Sequence, residues 1–226
     1  MNVAIVVAAG KGTRLGANRP KQFLELDGLP VIVRTLRQFD RCTEIDEVVV
    51  VLAADEIAGF QSLAQQFGLQ KISLVIAGGA TRAQSVQRGL AVIDKAELVA
   101  VHDGVRPFVT PAEIDRVMAA ARVTGAAILV APVADTVKEI EEDRVVRTLP
   151  RSQLRRALTP QCFRFEILKR AYHHLAEVEA ERIEVTDDCL LVERLGVEIA
   201  AIEGSARNIK ITQVEDLTLG EALLRL

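Results

Sequence analysis

The sequence has no long apolar run and no excess of positive charge, and its first residues are not expected to form a secretory leader. Half of its 226 residues are hydrophobic, yet no uncharged apolar run approaches the roughly 20 residues that a transmembrane helix needs. The chain enters a strand pattern at once, without a basic segment, an apolar stretch and a cleavage site. Its net charge of −3 argues against a broad nucleic-acid surface. The sequence therefore predicts a cytoplasmic protein that binds neither membranes nor nucleic acids.

Cysteine and histidine are too few and too scattered for a metal centre or a disulfide framework. Cys42, Cys162 and Cys189 are odd in number and far apart, which is typical of ordinary thiols in a reducing compartment. The three histidines form neither an H-x-x-x-H nor an H-E-x-x-H pattern. We expect no zinc site built by this protein.

Strand-like and helix-like patterns alternate along most of the chain. Short β-branched runs and apolar residues at helical spacing give the two kinds of element. Strands are expected at residues 3–7, 48–52, 72–76, 98–101, 126–131, 197–202 and 208–212. Helices are expected at 31–39, 56–67, 81–93, 164–180 and 187–195, and from residues 111 and 214 onward. The alternation predicts an α/β fold: one domain over 1–226, with a Rossmann-like, mostly parallel twisted sheet and helices on both faces.

The alternation stops at Asp135, where two short strand-like segments flank a charged turn. Residues 136–140 and 145–149 alternate, and residues 141–144 are all charged, which predicts an antiparallel hairpin. A hairpin alone is marginally stable in water, so it either folds back on the body or packs against a partner. Because it carries apolar side chains, we expect a projecting arm at about 134–152, exchanged across a homodimer.

A glycine-rich loop with several cations follows the first strand. Gly10 and Gly12 allow a tight turn whose backbone N–H groups approach a phosphate chain. Three cations lie on or just beyond this loop: Lys11, Arg14 and Lys21. The combination predicts a nucleoside triphosphate site. The Walker pattern is absent, and Leu15 replaces the third glycine of a dinucleotide fingerprint, which disfavours a dinucleotide-dependent oxidoreductase.

A second glycine motif, Gly-Gly-Ala-Thr-Arg-Ala-Gln-Ser, lies between the third strand and its helix. Thr81 is a plausible N-cap, and Arg82 and Ser85 share a helix face from which both could turn toward a nucleotide. A plain glycine turn before a capped helix explains the same residues, so spacing alone does not decide.

A third motif, His-Asp-Gly-Val-Arg-Pro, ends the fourth strand. Asp103 could bind ribose hydroxyls or a divalent ion, or orient a second substrate, and Arg106 could hold a phosphate in bidentate fashion. The alternative is a local ion pair between these two side chains. Ligands of parallel sheets bind at the carboxyl ends of strands, where all three motifs lie.

The whole string Ala-Ala-Gly-x-Gly-Thr-Arg-Leu-Gly, followed by Pro-Lys-Gln-Phe, resembles the signature of the 2-C-methyl-D-erythritol 4-phosphate cytidylyltransferase family. The other two motifs resemble its base-recognising segment and its His-Asp-x-x-Arg-Pro mark, and the similarity covers essentially the whole chain. The resemblance implies a nucleotidyltransferase-type fold and a homodimer formed through the arm. It also implies transfer of CMP from CTP to a sugar-alcohol phosphate, 2-C-methyl-D-erythritol 4-phosphate. Mg²⁺ is then expected to bind mainly to the triphosphate. Many relatives carry an acidic residue where this chain has Ala80, so any contact made by that acidic side chain is lost here.

The resemblance also implies roles for individual residues. Nucleotide binding falls to Ala8, Ala9, Gly10, Gly12, Thr13, Gly79, Arg82, Ser85, Asp103 and Gly104. The sugar-alcohol phosphate pocket comprises Asp103, Arg106, Thr136, Arg151, Thr159, Thr186 and Lys210. Catalysis falls to Arg14 and Lys21 at the triphosphate and to Lys210 and Arg151 at the incoming phosphate, and Asp103 is the expected metal ligand. If the arm is exchanged, Thr136 and Arg151 act in the neighbouring subunit.

Other functions remain open at this point. Ribitol-5-phosphate cytidylyltransferases share three of these motifs, although Ala-Ala-Gly in the loop and Thr186-Asp187-Asp188 favour the methylerythritol family. Pro-Lys-Gln-Phe follows the loop too closely for a hexose-1-phosphate nucleotidyltransferase. A non-catalytic nucleotide-binding module is disfavoured by the joint presence of the four catalytic cations.

The nucleophile, a phosphate oxygen, is already ionised at neutral pH, so no general base is required.

Overall fold

Seven strands form one sheet in the computed structural model, which describes residues 1–10 and 20–225. The strands of this sheet are β1 (Asn2–Ala8), β4 (Glu47–Leu52), β5 (Ile72–Ala77), β6 (Leu98–Asp103), β7 (Ala126–Pro132), β10 (Arg155–Arg164) and β11 (Ala200–Glu203). Two small pairs lie outside it: β2 (Glu25–Leu26) with β3 (Leu29–Pro30), and β8 (Val137–Glu141) with β9 (Arg144–Leu149). The order is β11-β7-β10-β6-β1-β4-β5, and only β10 runs antiparallel to its neighbours. The predicted mostly parallel sheet is confirmed.

Helices cover both faces of this sheet, as predicted. They are α1 (Val31–Arg41), α2 (Ile57–Gln66), α3 (Arg82–Ala91), α4 (Pro111–Thr124), α5 (Phe165–His173), α6 (Leu175–Ala180), α7 (Asp188–Glu193) and α8 (Val214–Leu224). Strand β1 is buried along its whole length and alternates between two cores. Ala4 and Val6 pack with α1, α2 and α4, whereas Ile5 packs with α3, α5 and α7. Burying a valine or isoleucine side chain such as Val6 or Ile5 contributes about 1.5–3 kcal/mol relative to leaving it exposed.

The parallel strands bring the glycine motifs and the aspartate motif to one edge. Val7 of β1 is in register with Asp103 of β6, and Ala8 is in register with the end of β4. Gly78, just after β5, donates its N–H to the Leu52 carbonyl oxygen at 2.7 Å. A Cβ at Gly78 would lie 2.4 Å from the Ala9 Cβ, so this close approach of two loops requires glycine. Ala9, just after β1, and Gly78, just after β5, therefore lie against each other at the ends of the strands.

Strand β10 was missed by the sequence analysis, although it lies near the middle of the sheet. Its basic start at Arg155 and Arg156 hides the apolar pattern, and Pro160 cannot donate a ladder hydrogen bond. The structure accommodates the proline at a register shift between Ala157 and Gln161 in the pairing with β7. Such a local irregularity is the setting in which proline is tolerated within a sheet.

Three other predictions of secondary structure were wrong in extent or type. No strand forms at residues 208–212: Ile211 donates one backbone bond to Val105 and buries its side chain beside β2 and α1 instead. The helix expected at 164–180 divides into α5 and α6, because His174 leaves helical geometry at φ −91° and ψ 3°. The strand expected at 197–202 begins only at residue 200, after a turn in which Gly196 has a φ of +71°.

The predicted hairpin is present as the separate pair β8 and β9. Ile140 and Val145 are paired across it, and each is more than half exposed.

All three cysteines are free and buried. None of the helices in the described ranges has the length and apolar character needed to span a bilayer.

Candidate active site

Three cations from three segments converge on the carboxylate of Asp103, which is 5 % exposed at the end of β6. Its Oδ1 accepts a hydrogen bond from Arg82 Nε at 2.9 Å. Its Oδ2 lies 2.9 Å from Lys210 Nζ and 3.4 Å from Arg106 Nε. Burial alone raises the pKa of Asp103, but these three charges outweigh it and hold the pKa well below its usual range. The carboxylate is therefore ionised at the centre of a cationic cluster.

A pocket opens beside this cluster, between the loops that follow β1 and β5. From the predicted nucleotide set it is lined by Ala8, Ala9, Gly10, Gly79, Arg82, Ser85 and Asp103, and Lys21 and Lys210 add positive charge to its wall. Thr81 caps α3, as predicted, by accepting the Gln84 N–H. The Ser85 hydroxyl accepts the Gly79 N–H at 3.1 Å and donates to the Thr81 carbonyl oxygen. Ser85 thus shapes the loop, and the basic pocket suits a polyphosphate.

Lys21 reaches this pocket from a single 3₁₀ turn, Lys21–Phe23. Next to it, the buried Gln22 donates from Nε2 to the Ala8 carbonyl oxygen at 2.8 Å. This bond ties the turn to the end of β1. Sequence reasoning gave Gln22 no role, although it lies within Pro-Lys-Gln-Phe.

A buried hydrogen-bond chain fixes the backbone of Asp103 from below. The Thr159 hydroxyl accepts the Asp103 N–H at 3.2 Å and donates to His102 Nδ1 at 2.9 Å. His102 Nε2 donates to the Arg106 carbonyl oxygen, which sets this tautomer. Burial lowers the pKa of His102 to about 3, so the ring is neutral. His102 therefore supports the loop and is unavailable as a general base, while the Thr159 hydroxyl is engaged on both sides.

Several of the other predicted substrate residues lie away from the pocket of their own chain. Thr186 borders an adjacent cavity that also contacts Arg82 and Lys210. Thr136 and Arg151 are exposed at the base of the hairpin, where Arg151 Nη1 donates to the Ala134 carbonyl oxygen at 2.7 Å. Asp187, the residue after Thr186, is the N-cap of α7.

Two more predicted positions support the site from below its surface, and three cannot be placed. Arg106 donates from Nη1 to the Asn208 carbonyl oxygen at 2.9 Å. Gly104 is buried, donates to the Val7 carbonyl oxygen and accepts from the Thr35 hydroxyl. Gly12, Thr13 and Arg14 lie outside the described residues, as does the loop cation Lys11.

The sequence model of the 2-C-methyl-D-erythritol 4-phosphate cytidylyltransferase (IspD) family matches residues 2–226. The chain belongs to this family. A cytidylyltransferase of this name from Bacillus velezensis is 42 % identical over 224 residues, covering 99 % of this chain and 95 % of the relative. The one from Geobacter metallireducens is 41 % identical over 227 residues, covering 98 % and 97 %. This chain is thus a nucleotidyltransferase, and the predicted family is confirmed over the ribitol-phosphate and non-catalytic alternatives.

Solved structures agree with this membership of the cytidylyltransferase family. The 4-diphosphocytidyl-2C-methyl-D-erythritol synthase of Anaerococcus prevotii superposes with a TM-score of 0.87 at 31 % identity, over 100 % of this chain and 96 % of that one. The Thermus thermophilus cytidylyltransferase superposes with a TM-score of 0.79 at 35 % identity, over the full length of both chains.

The donor atoms of this cytidylyltransferase fit a divalent cation carried by a substrate rather than a metal cage. In residues 1–10 and 20–225, no three His, Cys, Asp or Glu side chains converge on one point. Asp103 is ionised and lines the pocket, and carboxylate oxygen is the ligand that Mg²⁺ prefers. Mg²⁺ commonly takes one or two carboxylates together with substrate phosphates. The site therefore has the one protein ligand that such binding needs.

Proposed function

We propose that the pocket beside Asp103 is where this chain carries out its family's reaction. The chain transfers CMP from CTP to 2-C-methyl-D-erythritol 4-phosphate, giving 4-CDP-2-C-methyl-D-erythritol and pyrophosphate in non-mevalonate isoprenoid precursor synthesis. The observation that carries the location is the convergence of Arg82, Arg106 and Lys210 on Asp103 at the carboxyl end of β6. At this edge the backbone loops and the cations are available to the same ligand.

CTP occupies the pocket between the loop after β1 and the loop after β5 in this proposal. The segment 8–10 lies along the triphosphate, and a Cβ at Gly10 would meet no atom of residues 1–10 and 20–225 within 4 Å. The segment from Gly79 to Arg82 faces it and receives the base through its backbone, since Ala80 offers no polar side chain. Lys21 and Arg14 bind the phosphates.

The acceptor attacks through a phosphate oxygen that is already ionised at neutral pH. A bond forms between this oxygen and the α-phosphorus of CTP, and the bond from the α-phosphorus to the bridging oxygen breaks, so pyrophosphate leaves with the electron pair. Two anions must be brought together, and charge grows on the leaving group. Positioning and fixed cations lower that barrier. We assign Lys21 and Arg14 to the leaving side and Lys210 and Arg151 to the acceptor phosphate.

Asp103 would hold Mg²⁺ on the triphosphate. When bound, the ion supplies neutralisation of the phosphate charge. The chain's own part is to keep the Asp103 carboxylate ionised and aimed into the pocket. Lys210 Nζ lies 2.9 Å from Asp103 Oδ2 and helps to keep this carboxylate ionised.

We further propose that the chain works as a cytoplasmic homodimer, one domain over 1–226 whose arm at about 134–152 reaches the other subunit. Ile140 and Val145 offer apolar surface on one face of the arm. Thr136 and Arg151 at its base do not line the pocket of their own chain. An exchanged arm brings them to the neighbouring acceptor site.

The double substitution Ile140→Asp with Val145→Asp should convert the dimer to monomers and lower activity at least tenfold, because charges oppose burial of the arm. Sedimentation velocity and pyrophosphate release measure the two effects. Val123→Asp is the matched control, since Val123 is 79 % exposed on α4 and should leave the dimer intact. An active wild-type monomer, or a variant that still dimerises, contradicts the proposed arm exchange.

Pyrophosphate release with CTP and Mg²⁺ tests the acceptor directly. We expect strong release with 2-C-methyl-D-erythritol 4-phosphate and at most background release with ribitol 5-phosphate, assayed in parallel on the same preparation. Preference for ribitol 5-phosphate would overturn the acceptor while leaving the CTP site in place. Silence with both acceptors would overturn the proposed activity.

A further inference from the structure

A second carboxylate, which is completely buried, also binds the Arg82 guanidinium. Asp188 is 0 % exposed, and its Oδ2 accepts a hydrogen bond from Arg82 Nη2 at 2.9 Å. Its Oδ1 accepts a hydrogen bond from the Tyr172 hydroxyl at 2.5 Å. Arg82 therefore bridges a carboxylate that lines the nucleotide pocket and a carboxylate in the core behind it.

The position of Asp188 is itself fixed by its surroundings. It is the first residue of α7, and Gln161 on β10 accepts its N–H at 2.9 Å and that of Cys189 at 3.1 Å, both through Oε1. Gln161 Nε2 donates to Asp187 Oδ2 at 3.0 Å. The Asp188 carboxylate thus stands on a rigid junction of β10, α5 and α7.

Stability alone does not require this arrangement. An ionised carboxylate removed from water must be fully paired, and well-packed apolar residues often stabilise a core at least as well. Here each oxygen of Asp188 has a different donor, which fixes the rotation of the carboxylate and so the plane of the Arg82 guanidinium. Burial raises the pKa of Tyr172 well above its usual range, so the hydroxyl stays protonated and keeps donating.

We infer that Asp188 and Tyr172 are positioning residues for the CTP site. They hold the Arg82 guanidinium, and through it the Asp103 carboxylate, in the orientation that CTP requires. This inference rests on the proposed function of the pocket. Without the Tyr172 hydroxyl, Asp188 Oδ1 has lost its donor and competes with Asp103 for Arg82, so the Arg82 guanidinium turns away from the CTP pocket that it lines.

Tyr172→Phe tests this role because it keeps the ring and removes only the hydroxyl. We expect the Kd of CTP with Mg²⁺, measured by calorimetry without acceptor, and the KM for CTP to rise about tenfold, the size expected for one hydrogen bond to a charged group. The KM for the acceptor should stay within about twofold, because Tyr172 acts on the nucleotide side. Asp188→Asn should raise the same two CTP constants further, and Tyr172→Phe should add little in that background.

The matched control is Leu168→Ala on the same helix, α5. Leu168 is fully buried but makes no polar link to Arg82, so this variant should lower Tm and keep the wild-type Kd for CTP well below its Tm. If Asp188→Asn does not fold, Tyr172→Phe alone decides. If the wild type is active and Tyr172→Phe leaves the Kd and KM for CTP unchanged, the positioning role is overturned. It is also overturned if Tyr172→Phe raises the KM for CTP and the KM for the acceptor equally. A wild type that binds no CTP overturns the proposed function instead.

Discussion

Asp103→Asn is expected to lower kcat/KM for CTP by about 10²–10³, the size seen when one preorganised electrostatic group is lost. The amide keeps the shape of the side chain and removes its charge. Arg82, Arg106 and Lys210 then converge without an anion between them, and their repulsion opens the cluster. The proposed protein ligand for Mg²⁺ is lost at the same time. Steady-state pyrophosphate release across CTP and Mg²⁺ concentrations measures the effect.

Asp94→Asn is the matched control for this substitution. Asp94 is exposed and precedes β6, whose other end carries Asp103. Asp94→Asn therefore removes the same charge far from the pocket. The control should keep wild-type kinetics. Equal kcat/KM in Asp103→Asn and Asp94→Asn would remove Asp103 from the site.

Lys21→Ala should lower kcat at least about a hundredfold with little change in folding, because a fixed cation at the triphosphate acts mainly as charge grows on the leaving group. Lys21 lines the pocket from a turn that Gln22 ties to β1, so its removal leaves that tie intact. Single-turnover release of pyrophosphate separates this chemical effect from substrate binding, and thermal unfolding verifies the fold.

Lys95→Ala is the control for Lys21→Ala. Lys95 is exposed and lies just before β6, and its substitution changes the net charge by the same amount. It should behave as wild type. Normal turnover in Lys21→Ala would withdraw Lys21 from the catalytic set, and a loss of similar size in Lys95→Ala would point to a nonspecific effect of charge.

The alternation of strands and helices could be predicted from sequence because most strands are buried and mostly apolar. In β1, for example, every residue is buried, so its run is continuous. The same reasoning failed at β10, where Pro160 and two arginines mask a central strand. It also failed at Ile209 and Ile211, whose alternation arises from packing against neighbours rather than from a ladder. Local pattern does not report which partner an apolar residue meets.

The candidate site shows the same limit. Motif resemblance named Asp103, Arg82 and Lys210 separately, but their hydrogen-bonded cluster depends on the topology of the sheet. Tyr172 and Asp188 had no sequence signal as a pair, because they lie on α5 and α7 and meet only in the fold. Thr159 was expected to face substrate, and its contacts with Asp103 and His102 could be seen only in three dimensions.

The arm is topologically an insertion into a β-hairpin. Pro132 of β7 and Arg155 of β10 are register partners, so the chain leaves and re-enters the sheet at adjacent points. Lengthening such an excursion costs little, about 0.6 kcal/mol for each doubling of its length. The length and surface of the arm can therefore change at little cost while the sheet that carries Asp103 stays the same.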